Sequence, residues 1–369
     1  MTAYLRVWLW RHRPVISGLF LALLGRVPDW WYLLLSGWFP LAGGVDTTVA
    51  TGATEAARAW ADDIWLELPE AVFWGPYLKE DVNSIIEVKK NLEATPGETI
   101  TFTLARQLSS AGVTGDARQE DNEEAVSWYS NTITINQFRN AVRLSGRMSE
   151  KRTAFSQRRV AKQLLKDWLA AFIDNRIFTT MATSPTRAIY GGTATSTATI
   201  ATGDYLSLAL ITRGKTLARK VTPQIFPVNV EGGDYFLLTV SPDALLDLQT
   251  YDPAWAQAQR EAQIRGASNP LFTGAEGIWD RVVIRSSTRV PLATDWGAGG
   301  NINGSENMLF GRQAGIWAWG KKPEWVEQSF DYLNKTGFCI GAILEIAKAT
   351  FNSQDNGEIA MRTFRSNIS

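Results

Sequence analysis

The chain has 369 residues, enough for one large or two modest domains. Apolar residues make up 45% and charged residues 20%, which excludes a disordered or collagen-like chain. Lys plus Arg and Asp plus Glu number 37 each, so the chain lacks the basic excess of a protein whose main task is to grip nucleic acid.

Residues 1–45 form an atypical apolar segment that holds Trp8, Trp10, Trp30, Trp31 and Trp38, five of the 16 tryptophans. Arg26, Pro28 and Asp29 divide it into two apolar stretches, each short of the ~20 residues that span a bilayer. The split run, and the lack of disulfide-forming cysteines after it, argue against an export signal.

Residues 46–97 read as an N-terminal arm, with a net charge of −6 over 46–96. Within it Ala57, Trp60, Ala61, Ile64, Trp65 and Leu68 have helical spacing over 53–68, and Pro69 ends the run. Residues 98–148 read as a long β-hairpin. Thr99 to Leu104 alternates polar and apolar, 109–124 is a polar loop, and Ile133, Ile135, Phe138, Val142 and Leu144 mark the return. Residues 149–199 begin with the longest helix, capped by Ser149. Its apolar stripe from Phe155 to Phe178 runs over 153–181, a rod of about 43 Å.

The Gly-, Ser-, Thr- and Ala-rich stretch 183–203 reads as a flexible connector and domain boundary. Helices are predicted over 205–220, from Pro242 after a Ser241 cap, and over 254–265 closed by Gly266. Strands are predicted over 235–240, 282–289, 338–351 and 359–364. Strands and helices that do not strictly alternate predict an α+β fold.

Two charge runs stand out. Asp116, Glu120, Asp121, Glu123 and Glu124 give the hairpin tip a net charge of −4 over 115–124. Arg139, Arg143, Arg147, Lys151, Arg152, Arg158, Arg159, Lys162 and Lys166 give a net of +8 over 139–166. Such runs are usually solvated faces. The sharper reading is that one subunit's acidic tip docks on another's basic helix start, with complementary charge setting the register.

Little in the chain points to chemistry. Cys339 is the only cysteine, so no intrachain disulfide forms. His12 is the only histidine and would have to serve any Ser-His-Asp triad, Cys-His pair or histidine metal site. Arg213-Gly214-Lys215-Thr216 has the end of a phosphate loop, but Ala209 stands where the first Gly is needed, and the leucines around it predict an amphipathic helix. Adjacent acids such as Glu123/Glu124 and Asp62/Asp63 are far more often solvated than catalytic. Most tryptophans fall at apolar helical spacing, which favours core packing. No catalytic, cofactor or metal residue is assigned.

From about Asp46 onward the order of several motifs resembles the major capsid proteins of N-four-type tailed phages, which have the Hong Kong phage-type capsid fold. Asn83 to Lys89 followed by Pro96 to Phe102 is similar to that family's approach to its extended loop. Gly112 to Asp116 with Asn122-Glu123-Glu124 resembles its loop signature, although Asp121 stands where Gly is expected. Gly146 to Ser149 with Arg152-Thr153 resembles the start of its spine helix. Asn269 to Gly274 and the strand from Gly341 to Phe351 complete the set.

The resemblance implies an N-terminal arm (46–97), an extended loop (98–148), a spine helix and peripheral domain (149–199), a mainly axial domain (200–335) and closing peripheral strands (336–369). It implies a non-enzymatic, self-assembling subunit of an icosahedral shell around double-stranded DNA, built of pentamers and hexamers. Portal, scaffold and decoration proteins are further partners, packaged DNA is met only non-specifically, and no membrane or cofactor is involved. The setting is the virion capsid, assembled in the bacterial host cytoplasm. Docking of the acidic tip (Asp116, Glu120, Asp121, Glu123, Glu124) on the basic spine start (Arg143, Arg147, Lys151, Arg152, Arg158, Arg159) becomes the favoured reading. The alternatives are a non-viral nanocompartment of the same fold and a secreted carbohydrate-active enzyme. Residues 1–45 lie outside the family-like region. Val45 fits a GTG start codon, so the segment reads as translated upstream sequence, with an apolar arm or a targeting segment as alternatives.

Overall fold

The computed structural model describes residues 72–90, 93, 96–153, 156–230, 232–257 and 275–367, all within the unit Asp62–Ser369. The expectations for 1–45 and for the helix over 53–68 lie outside the described residues, as does most of the helix over 254–265. In chain order the strands are β1 (Leu78–Lys79), β2 (Ile86–Lys89), β3 (Thr99–Ala105), β4 (Trp128–Thr134), β5 (Asn136–Arg143), β6 (Ala188–Tyr190), β7 (Val228–Val230), β8 (Gly233–Val240), β9 (Gly277–Trp279), β10 (Val282–Ser286), β11 (Leu292–Trp296), β12 (Ile302–Phe310), β13 (Gly315–Phe330), β14 (Lys335–Lys348), β15 (Thr350–Phe351), β16 (Gln354–Asp355) and β17 (Glu358–Phe364). The helices are α1 (Arg147–Arg152), α2 (Gln157–Ala182), α3 (Leu208–Lys220) and α4 (Pro242–Tyr251).

A five-stranded sheet in the order β1-β2-β13-β14-β5 carries α2 on one face. Leu165 and Leu169 of α2 are buried against Phe338 and Ile340 of β14, because four-residue spacing puts them on one helix face. The helix starts later than predicted. Ser156, not Ser149, is its cap and accepts the Arg159 N–H at 3.4 Å. The chain breaks at Thr153, which is extended and whose hydroxyl donates to the Glu150 carbonyl at 3.0 Å, leaving α1 as a separate turn. The 26 residues of α2 make a rod of about 39 Å.

An eight-stranded sheet has the path β6-β17-β12-β8-β10-β9, with β11 and β7 paired at its side. Buried Leu208 and Ile211 of α3 and Leu245 and Leu248 of α4 cluster with Phe236, Leu238 and Ile284 of the sheet. This supports the amphipathic reading of the Arg213–Thr216 stretch. Gly214 is a packing position, since a Cβ there would lie 2.0 Å from the end of Met361. A third cluster gathers Trp74, Phe73, Phe178 and Phe310, with ring centroids 5.1–5.2 Å from Trp74. Trp74 and Trp317 pack from a loop and a strand, so the tryptophan core is less helical than its spacing predicts.

Two expectations are corrected. The stretch 183–203 is not a flexible connector: β6 pairs in parallel with β17, Ile200 is buried, and Arg187 reaches the Asp355 carbonyl at 2.7 Å. Its small residues serve close packing, since a Cβ on Gly191 would sit 2.3 Å from the Asp204 carbonyl oxygen. The boundary between 335 and 336 cuts a continuous β13–β14 ladder, which runs from Gly315↔Lys348 to Phe330↔Lys335. The last strand, β17, belongs to the eight-stranded sheet with β12. The polypeptide crosses between the sheets more than once, so contiguous ranges cannot describe them.

Candidate assembly surfaces

Only the base of the predicted hairpin is a two-stranded ribbon. β3 and β4 pair from Thr99↔Thr134 to Ala105↔Trp128, whereas β5 turns away to pair with β14. One ribbon face is Ile100, Phe102 and Leu104 with Tyr129, Asn131 and Ile133; the other is threonine and serine, ending in the Ala105–Trp128 pair, with Thr101 and Thr132 hydroxyls 3.1 Å apart. The ribbon is fastened where it leaves the body. Asn131 Nδ2 donates to the Lys348 carbonyl at 3.1 Å, and Phe102 meets Phe351 edge-on at 5.9 Å.

Beyond this anchor the loop has only irregular structure and turns, and Leu108, Val126 and Trp128 are exposed, Trp128 to 65%. A lone two-stranded ribbon is marginal in water, and clustered exposed apolar side chains mark interaction sites. Asp116, Glu120, Asp121 and Glu123 are exposed on this loop, with Glu120 ion-paired to Arg118. Glu124 is tied more tightly. It accepts the backbone N–H of Ser109 at 2.8 Å and of Ser110 at 2.6 Å, and the Ser109 hydroxyl at 2.8 Å. These bonds to the ionised form, the Ser109 N–H first, hold its carboxyl below the ordinary range.

The basic surface is built from β5, α1 and the first turns of α2. Arg143 projects from β5, and its guanidinium lies 5.4 Å from the centre of the Phe330 ring. Arg147, Lys151, Arg152 and Arg159 are exposed. Arg158 Nη2 donates to both carboxylate oxygens of Glu327 of β13, at 2.7 and 2.9 Å. The Trp325 indole also donates to Glu327, and these two partners hold its carboxyl below the ordinary range. Within the chain, no tip carboxylate among the described residues forms an ion pair with any of these six cations.

Two features of these surfaces are absent from the sequence reading. Glu327 sits inside the basic face and binds Arg158 169 positions away, so no local pattern announces it. The β13–β14 turn also projects: Asp331, Tyr332 and Leu333 have φ of 53°, 49° and 68°, and the Tyr332 and Leu333 side chains are exposed. Three consecutive left-handed residues without glycine give no turn signature.

A long helix on one sheet, a second helix-covered sheet and a projecting ribbon are the main parts of the described body. A family model described as "Phage capsid protein" matches residues 48–185 and 170–364. The major capsid protein of Pseudomonas phage KPP25 is 28% identical over 351 residues, covering 83% of this chain and 93% of that relative. The capsid of Ralstonia phage GP4 superposes with a TM-score of 0.79 at 28% identity, covering 88% of this chain and 99% of its own. The Cyanophage Pam1 capsid has the same fold, with a TM-score of 0.76 at 22% identity over 88% of this chain and all of its own. The α+β architecture is thus the Hong Kong phage-type capsid fold, and the chain belongs to the phage capsid protein family, as a major capsid protein of a tailed phage.

Proposed function

We propose that this subunit builds its shell by laying the extended loop on a neighbour, with Asp116, Glu120, Asp121 and Glu123 facing Arg143, Arg147, Lys151, Arg152 and Arg159. The observation that carries this is a loop with its own anchor and no surface of its own to cover: Leu108, Val126 and Trp128 are exposed beside a carboxylate tip of net −4. The cations on β5, α1 and α2 supply the complementary charge. Glu124 and Arg158, already held by Ser110 and Glu327, act as internal braces that shape the two surfaces.

The subunit then works by repeated contact between copies rather than by turnover, in pentamers and hexamers. Symmetry multiplies each modest contact over the shell. Portal, scaffold and decoration proteins would meet the same shell, DNA would touch it without sequence preference, and assembly would take place in the host cytoplasm. The arm, extended loop, peripheral and axial regions are assigned roles by position, with β13 moved to the peripheral sheet and β17 to the axial one.

The test is a charge swap followed by electron microscopy. Asp121→Lys with Glu123→Lys should fold but lose most shells, and Arg147→Glu with Arg152→Glu should do the same. Combining the four should restore part of the yield. Normal shells from either double variant would overturn the docking scheme.

A further inference from the structure

Lys348, Asp355 and Glu358 form a buried trio where the chain passes from one sheet to the other. Lys348 ends β14 of the five-stranded sheet, and Glu358 opens β17 of the eight-stranded sheet. Asp355 lies between them, in the small β15–β16 ladder that pairs Thr350 with it. The three side chains are 10%, 3% and 0% exposed. The Lys348 Nζ touches Glu358 Oε1 and lies 3.6 Å from Asp355 Oδ2. Neither Nζ nor either Glu358 oxygen makes an aligned hydrogen bond.

We propose that Lys348 and Asp355 condense into an intramolecular isopeptide bond, with Glu358 as the proton-transfer group.

A buried ion pair repays its desolvation only when the remaining donors and acceptors are also satisfied. Here the Nζ–Oε1 contact is poorly aligned and Glu358 Oε2 has no donor. Burial pushes the Glu358 carboxyl up to about 8, so this group carries a proton it can give. Transfer of one proton from Nζ to Asp355 leaves an amine that is a nucleophile and a carboxylic acid that is an electrophile. The three side chains are almost wholly buried, which keeps bulk water, a hydrolysing competitor, away from the encounter.

The surrounding groups fit the reaction. The Thr186 N–H donates to Asp355 Oδ2 at 2.7 Å and would steady the charge that builds on this oxygen in the tetrahedral intermediate. The Thr350 hydroxyl donates to Asp355 Oδ1 at 3.2 Å. Arg187 donates to the Asp355 main-chain carbonyl at 2.7 Å and fixes the segment. One Nζ proton passes to Asp355 Oδ1 and the freed Nζ lone pair attacks Cγ; the protonated Glu358 then gives its proton to Oδ1 and takes one from Nζ, and Oδ1 leaves as water. An amine and a carboxylic acid give an amide and one water, with no oxidant or second substrate. Glu358 ends as it began. The product closes a ring from 348 to 355 and replaces two ionisable groups with one buried amide.

The experiment is intact-mass and tandem mass spectrometry of the full-length chain from purified particles. The expected result is a mass one water (about 18 Da) below that calculated for the chain whose N-terminus the same spectra define, with a branched peptide joining Lys348 to Asp355. Lys348→Arg keeps the charge and should restore the full mass. Glu358→Gln should slow bond formation about a hundredfold, as loss of a proton-transfer group does. A cyclic imide at Asp355 also loses one water. It would persist in Lys348→Arg and give no branched peptide, and that outcome overturns the proposal. So does a wild-type chain at its full mass, which would leave the trio an ordinary ion pair.

Discussion

Glu124 and Ser110 close the extended loop on itself: the carboxylate accepts the Ser110 N–H at 2.6 Å across fourteen positions of chain. With the Ser109 N–H at 2.8 Å this ties the outgoing and returning limbs together just beyond the ribbon. Glu124→Gln should therefore speed amide hydrogen exchange at Ser109 and Ser110 while leaving α2 unchanged. The folded carboxyl is held below its ordinary range, so the clasp contributes fully above the unfolded value and is lost as pH falls through the folded one. Acidification below the ordinary carboxylate range should mimic the substitution. Slow exchange at both amides in the variant would show that the clasp does not order the loop.

Charge-guided docking has a salt signature. The Debye length is about 10 Å at 0.1 M salt and about 3 Å at 1 M, so exposed pairs fade while buried ones persist. Light-scattering assembly rates for the wild type should fall across that range, and those for Asp121→Lys with Glu123→Lys should change much less. Equal salt dependence in both would locate the steering charges elsewhere.

Asp174 anchors the segment that enters the described body. Its carboxylate is fully buried on α2, accepts the Phe73 and Trp74 N–H groups at 2.7 and 3.3 Å, and pairs with Arg289 at 2.9 Å. Removing one partner of a buried pair leaves uncompensated polar groups, at a cost of about 3–5 kcal/mol. Asp174→Ala should lower subunit stability by that order in denaturant unfolding. Trp74→Ala, which empties a large site between Phe73, Phe178 and Phe310, should cost about as much.

Elements with their own signals were legible in the sequence. Ser241 and Pro242 announce α4, the run from Tyr235 to Val240 announces β8, and the stripe through Leu165 and Leu169 announces α2. Strands whose character comes from distant partners were not. In β12, Asn303-Gly304-Ser305 looks like a turn. Yet Ser305 and Asn307 are buried because Ser241 and Thr363 satisfy them, at 2.8 and 2.9 Å. In β13 the register shifts near Trp319 and Lys321 blur the period of two. The acidic and basic runs were visible, but Glu327 among the cations was not, since only folding brings it to Arg158. The stretch 183–203 gives a direct test of composition against packing. Gly191→Ala is harmless in a flexible connector, but here the added carbon meets the Asp204 backbone at 2.3 Å. Overpacking of this kind costs about 1–3 kcal/mol, so a clear drop in unfolding midpoint is expected.

The buried Glu358 carboxyl makes stability depend on pH in the direction opposite to Glu124. Burial raises its folded value to about 8, against an ordinary 4.5. Between those values the folded chain holds a proton that the unfolded chain has released, so this contribution falls as pH rises through that window and levels off above it. Glu306 and Asp355 push the same way and Lys348 opposes them, but burial dominates. If Lys348 is converted to an amide, the opposing charge disappears and the direction is unchanged. Glu358→Gln cannot ionise, so its unfolding midpoint relative to wild type should rise steadily from pH 5 to pH 8. A constant difference between the two chains over that range would mean that Glu358 does not change its protonation on folding.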